Sequence, residues 1–126
     1  MTEKFDVDQY WLDVLRQDAD TLRTYFASGA CINWHNTDEN FTAEEFIFAN
    51  CAYPGSWEGE IEKRIYLEDC VITVVRVYDT AHNVSFHVTS FIYLADNQIH
   101  KIDEYWGDDG EPPAWRKKMQ IGRKIQ

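Results

Sequence analysis

The sequence predicts an α+β domain in which three N-terminal helices pack on one face of a curved antiparallel sheet. Between Asp6 and Tyr53, three segments carry apolar residues at helical spacing. From Trp57 to Trp106 the pattern changes to runs of Val, Ile, Thr and aromatic residues bounded by turn residues, as in strands. Tyr53-Pro54-Gly55 separates the two halves. Helices first and meandering strands second place the helices together on the sheet. A long sheet of this kind twists and coils. Where it bends around helices, a conical cavity is expected between the two layers.

Asp6 or Asp8 can cap the first helix, which runs to about Arg16 with Tyr10, Trp11, Val14 and Leu15 at helical spacing. Asp18-Ala19-Asp20 breaks it and starts a second helix, with Leu22, Tyr25 and Phe26 on its buried face. Ser28-Gly29 is expected to end that helix, since glycine suits the left-handed position beyond a helix C-terminus. A short strand follows from Ala30 to Trp34, and His35 to Asn40 reads as a polar loop. Thr42-Ala43-Glu44-Glu45 has the form of a capping box and opens a third helix, which carries Phe46, Ile47, Ala49 and Asn50.

Strands are then expected over Gly59 to Tyr66, Cys70 to Tyr78, Val84 to Leu94 and Ile99 to Trp106. The last two form a hairpin about Asp96-Asn97. Pro112 and Pro113 end the sheet, because neither can donate to a ladder. From Cys70 to Leu94 apolar residues are expected on both faces: Val75, Val77, Phe91 and Tyr93 on one, Val74, Phe86, Val88 and Ile92 on the other. A sheet with helices on one side should show polar residues on the other, so a homodimer through the outer face is the expected partner arrangement.

The 126 residues make one domain the expectation over 1–126, with 114–126 a basic C-terminal tail. The tail holds Arg116, Lys117, Lys118, Arg123 and Lys124 and no acid, so residues before it carry seven bases against 22 acids, a net of -15. The whole chain is at -10, which repels a phosphate backbone and argues against nucleic acid as a partner. Five Trp, seven Tyr and seven Phe exceed what a core of this size needs and point to a lined cavity or an interface. Cys31, Cys51 and Cys70 form no CxxC pair and read as unpaired thiols in a reducing compartment. No apolar run approaches a membrane span, and MTEKFDVDQYW has no leader pattern, so a cytoplasmic location and no membrane partner are expected. No metal-ligand spacing, glycine-rich phosphate loop, dinucleotide fingerprint or GxSxG is present, and neither metal nor cofactor is expected.

The Tyr10-Trp11 helix, Asp18-Ala19-Asp20 and Ile102-Asp103-Glu104-Tyr105-Trp106 resemble the nuclear transport factor 2-like superfamily, and within it the SnoaL-like domains. The resemblance runs from Tyr10 to about Trp106 and implies a cystatin-like cone with a pocket between helices and sheet. The superfamily includes ketosteroid isomerases, limonene-epoxide hydrolases, dehydratases, polyketide cyclases and binding proteins, and fold alone does not choose among them. Tyr10 matches the oxyanion-donor tyrosine of ketosteroid isomerases, but their general base falls on Trp34 and their second acid near Ser90. Indole cannot abstract a proton, so that mechanism is not expected. Of the Asp–Arg–Asp set of limonene-epoxide hydrolases only Glu104 matches an acid, the other positions falling near Ser90 and Val88. SnoaL-like cyclases use an acid in the same cavity, a part Glu104 can fill.

Side chains alternate along a strand, so either Glu104 and Trp106 or Asp103 and Tyr105 face the cone. A three-residue turn at Asp96-Asn97-Gln98 sets Ser90 opposite Glu104, whereas a two- or four-residue turn sets it opposite Asp103 unless a bulge intervenes. Glu104 inward is the arrangement expected, which makes it the candidate catalytic acid or base. Candidate ligand-binding residues are Tyr10, Trp34, His35, Asn50, Tyr53, Trp57, Ser90 and Trp106. His87 is expected on the opposite face. The expected function is binding of a small apolar or aromatic molecule in a conical pocket. An isomerase, lyase or cyclase using Glu104, and a homodimeric interaction module with a filled cavity, are the alternatives.

Overall fold

The computed structural model describes residues 4–125. Residues 1–3, which begin the stretch read above for leader patterns, and Gln126, which ends the basic tail, lie outside the described residues. The elements are α1 (Val7–Arg16), α2 (Ala19–Arg23), β1 (Phe26–Trp34), β2 (Glu39–Thr42), α3 (Ala43–Ala52), β3 (Trp57–Tyr66), β4 (Cys70–Asp79), β5 (Ser85–Ala95), β6 (Gln98–Asp108) and α4 (Ala114–Lys118). The six strands form one sheet in the order β2-β1-β6-β5-β4-β3, with α1 and α2 before its first strand and α3 between β2 and β3. The ladders are antiparallel except for β1 on β6, which is parallel.

Capping sets the helix starts. Asp6 accepts from the Gln9 N–H, Asp18 from the Thr21 N–H, and Thr42 and Glu45 complete a reciprocal capping box. Two local expectations are corrected. The second helix stops at Arg23 rather than at Ser28-Gly29. Tyr25 and Phe26 leave it because the Tyr25 carbonyl accepts from the Ile99 N–H at 2.8 Å and Phe26 enters the ladder beside β6. Gly29 is left-handed (φ 79°), but it serves a register shift within β1 between Phe26 and Cys31. The segment read as a loop to Asn40 contains the start of β2, which pairs Trp34 with Glu39 and Cys31 with Thr42. A short edge strand with polar residues on both faces carries no alternation to find.

The core lies between α1, α3 and one sheet face. Ala30 and Ile32 of β1, Val71, Thr73, Val75 and Val77 of β4, Val88, Ser90 and Ile92 of β5, and Ile102 and Glu104 of β6 are buried there. Val7, Tyr10, Trp11 and Val14 of α1 cover this face, and the Trp11 indole N–H donates to Thr73 Oγ1 at 3.1 Å. The expected assignment of faces is also corrected: Val77 pairs with Phe86 and Val75 with Val88, so all four share the helix-facing side. Ile72, Val74, Phe91 and Tyr93 form the outer face and are half-buried. The turn over 79–84 pairs Tyr78 with Ser85, a parity that apolar residues on both faces do not reveal.

Glycine is required at one close approach. A Cβ on Gly59 would lie 2.9 Å from the Arg76 carbonyl oxygen and 3.1 Å from Leu15 Cδ1, so its absence lets the end of α1 settle against β3 and β4. Gly59→Ala is therefore expected to destabilise the fold by about 1–3 kcal/mol through overpacking. Urea unfolding midpoints of the two proteins measure this, and an unchanged midpoint would contradict it.

Candidate functional site

The hairpin joining β5 and β6 decides which acid enters the cone. Asp96 and Asn97 both have positive φ, 53° and 63°, as a two-residue type I′ turn requires, and Ala95 pairs with Gln98 across it. Such a turn alone would set Ser90 against Asp103. The register shifts by one between Tyr93 and Leu94: Leu94 pairs with Ile99, Tyr93 with Lys101, and His100 is the extra residue. This bulge brings Ser90 opposite Glu104 and turns Asp103 and Tyr105 outward.

Glu104 is 2% exposed. Its Oε1 accepts from the Trp34 indole N–H at 3.0 Å, and its Oε2 from the Ser90 hydroxyl at 2.5 Å. Trp34 lies beside it on the parallel β1 strand and Ser90 opposite it on β5. Burial penalises the charged carboxylate and pushes the Glu104 pKa up to about 7, although the Ser90 and Trp34 hydrogen bonds pull the other way. Tyr10 of α1 is 1% exposed. Burial, then the nearby charges of Glu104 and Tyr25, hold its hydroxyl well above the usual tyrosine range. Glu104 thus exchanges its proton near neutrality while Tyr10 keeps its own.

Around Glu104 lies a mostly apolar cavity of about 240 Å³. Its inner wall includes Tyr10, Trp11, Trp34, Phe46, Phe86 and Trp106, and its mouth includes Gln17, Asn36, Thr37, Tyr53 and Asp108. The rings meet at steep angles: Trp34 and Trp106 at 70°, Trp34 and Phe46 at 81°, Phe86 and Trp106 at 56°. The Asn36 side chain accepts from the Trp106 N–H at 2.6 Å and donates to the Trp106 carbonyl, joining the ends of β1 and β6. Gln17, left-handed at the end of α1, donates to the carbonyls of Asn50 and Tyr53, and Asn50 Nδ2 donates to the Val14 carbonyl.

Seven of the candidate residues therefore share one cavity wall: Tyr10, Trp34, Asn50, Tyr53, Trp57, Glu104 and Trp106. Ser90 stands behind the wall and holds Glu104. His35 departs from expectation. Its backbone N–H bonds to the Glu104 carbonyl, and its side chain turns to the outer face, stacks on Tyr105 at 4.4 Å and bonds to Asp103 at 2.8 Å. Burial raises the Asp103 carboxyl, but hydrogen bonds from His35 and Asn33 outweigh this and hold it below its ordinary value. His87 lies on the outer face between Asp109 and Glu62. Phe86 was within reach of strand parity with Ser90, and Trp11 and Phe46 of helical spacing. Asn36, Gln17 and Asp108 carried no signal, because loop and terminal side chains acquire their positions from the tertiary fold. Among the described residues no group of three or more His, Cys, Asp or Glu side chains could hold a metal ion. Among the described residues no helix is long and apolar enough to cross a membrane.

No protein-family model matches the sequence, and no curated protein does. Solved structures match closely in shape. One is a protein from Kribbella flavida provisionally described as a ketosteroid isomerase, with TM-score 0.78 and 16% identity over 95% of this chain and 87% of that one. Another is a nuclear transport factor 2-like protein of unknown function from Burkholderia xenovorans, with TM-score 0.76 and 16% identity over 95% and 92%. This chain has the nuclear transport factor 2-like fold. A Catenulispora acidiphila protein with a ketosteroid isomerase-like fold, solved in complex with trimethylamine, has TM-score 0.64 and 14% identity over 82% and 86%. At these identities the similarity concerns architecture, and chemistry has to be argued from the cavity itself.

The raised Glu104 pKa makes stability depend on pH. The folded state keeps the proton that the unfolded chain releases above about 4.5, so stability falls as pH rises from there to about 7 and then levels off. Glu104→Gln removes this dependence and should gain on the parent protein by about 3 kcal/mol across that interval. Denaturant unfolding at a series of pH values measures the difference, and parallel pH profiles would contradict it.

Proposed function

We propose that this domain binds a small, largely apolar molecule in its conical cavity, with Glu104 as the polar anchor. The observation that carries this reading is an aromatic cavity of about 240 Å³ with a buried carboxyl in its wall. That space lies below the roughly 300–1,000 Å³ of sites for drug-sized ligands. The ligand is accordingly small. Displacing water from apolar walls supplies the affinity, and Glu104 and Tyr10 supply orientation. The trimethylamine complex of the Catenulispora acidiphila protein supports the reading that a small molecule is in scale with this fold.

A second reading rests on the same carboxyl. An acid that titrates near neutrality inside an apolar site is suited to moving a proton at a carbon or oxygen of the ligand, as an isomerase, lyase or cyclase does. Exchange of ligand hydrogens for deuterium in heavy water, present in the parent protein and absent in Glu104→Gln, separates turnover from binding.

Four tryptophans, Trp11, Trp34, Trp57 and Trp106, line the cavity, so binding should quench tryptophan fluorescence. Ligand at 100 times its Kd should stabilise the fold by about 2.7 kcal/mol. Ala49 lines the same space, and Ala49→Phe is expected to fill it and abolish both effects while the fold persists. A panel of small apolar and aromatic molecules, followed by fluorescence and melting temperature, tests this. Full retention of binding in Ala49→Phe, or no response to any member, would contradict it.

A further inference from the structure

We infer that the cavity's ligand is a small organic cation, a tertiary or quaternary ammonium ion whose alkyl groups contact the aromatic walls and whose charge is balanced by Glu104. The inference rests on the proposal above that the cavity binds a small molecule, and it names the class.

The charges on the wall point one way. Glu104 and Asp108 line the cavity, and no Lys, Arg or His does among the described residues. An anionic ligand would meet two acids and no counter-charge. A cation would meet a carboxyl that has no basic partner of its own: Glu104 bonds only to the neutral donors Trp34 and Ser90. Burying an unpaired carboxylate is costly, and a bound cation supplies the missing half of the pair. The net charge of -10 also draws cations toward the protein.

The rings point the same way. Tyr10, Trp34, Trp57, Phe86 and Trp106 all line the cavity, and ring faces attract a cation within about 6 Å of their centroids. Their planes cross steeply, at 70° between Trp34 and Trp106 and 56° between Phe86 and Trp106. Crossed walls form a box, which suits a rounded alkylammonium group presenting positive charge in all directions.

Binding is then linked to the Glu104 proton. The groups around that carboxyl are Tyr10 from α1, Trp34 from β1 and Ser90 from β5, while α3 contributes Phe46, Ala49 and Asn50 to the wall. Of these only Tyr10 titrates, well above neutrality, and Asp108 of β6 at the mouth is the other charge on the wall. The cation selects the carboxylate, so Glu104 loses its proton as the complex forms.

The test compares choline with its neutral isostere 3,3-dimethylbutan-1-ol, using tryptophan fluorescence. At about pH 8.5 choline is expected to bind at least about tenfold more tightly than the alcohol. Between about pH 8.5 and about pH 5.5 its affinity should fall about 30-fold as Glu104 takes up its proton, while the alcohol changes little. Glu104→Gln should erase the preference for choline, and the pH series on the parent protein decides the matter if that variant fails to fold. Equal binding of the two probes, or tighter binding of the anion benzoate, would overturn the cation inference while leaving small-molecule binding intact. Failure of both probes alongside failure of the apolar and aromatic panel would overturn the binding proposal as well.

Discussion

A buried carboxyl group with no basic partner among the described residues, set in the wall of an aromatic-lined cavity, is the constraint on which this site turns. Ionising it there forfeits hydration that the protein replaces with two hydrogen bonds, from Trp34 and Ser90. Those bonds offset part of the desolvation and leave the rest, which is why Glu104 titrates near neutrality. Such a group costs stability, and its place in the cavity wall is what the proposed binding function draws on.

The fold delivers that carboxyl through local devices. The bulge at His100 sets the parity of β6, so Glu104 faces in and Asp103 faces out. The parallel pairing of β1 on β6 places Trp34 beside Glu104, and Asn36 ties the two strand ends together at Trp106. Gly59 admits the end of α1 against the sheet, which sets how closely the helix layer approaches. Gln17 and Asn50 donate their amides to backbone carbonyls and join the end of α1 to α3 beside the cavity.

Much of this was legible in the sequence where a single physical rule acts locally. The capping box at Thr42, the helical spacing of Tyr10, Trp11 and Val14, and the runs of β-branched residues marked three helices and five of the six strands in order, while β2 and the short α4 went unread. What escaped depends on contacts between distant segments. Phe26 reads as a helix residue until β6 is present to pair with it, and Glu39 and Asn40 read as the end of a loop until β1 provides a ladder. The faces of Val75 and Val77 depended on the turn over 79–84, and the choice between Glu104 and Asp103 on one bulged residue. In the site, aromatic and acidic residues on regular elements were found by parity. His35 was misplaced because it lies just beyond the end of β1, where alternation no longer determines direction and Asp103 and Tyr105 capture its ring.

The ionisation of Glu104 can be observed directly. In protein labelled with 13C at glutamate carboxyls, the Glu104 resonance, assigned by its loss in Glu104→Gln, should titrate with a midpoint near 7. A midpoint near the ordinary glutamate value of about 4.3 would contradict a desolvated acid in the cone.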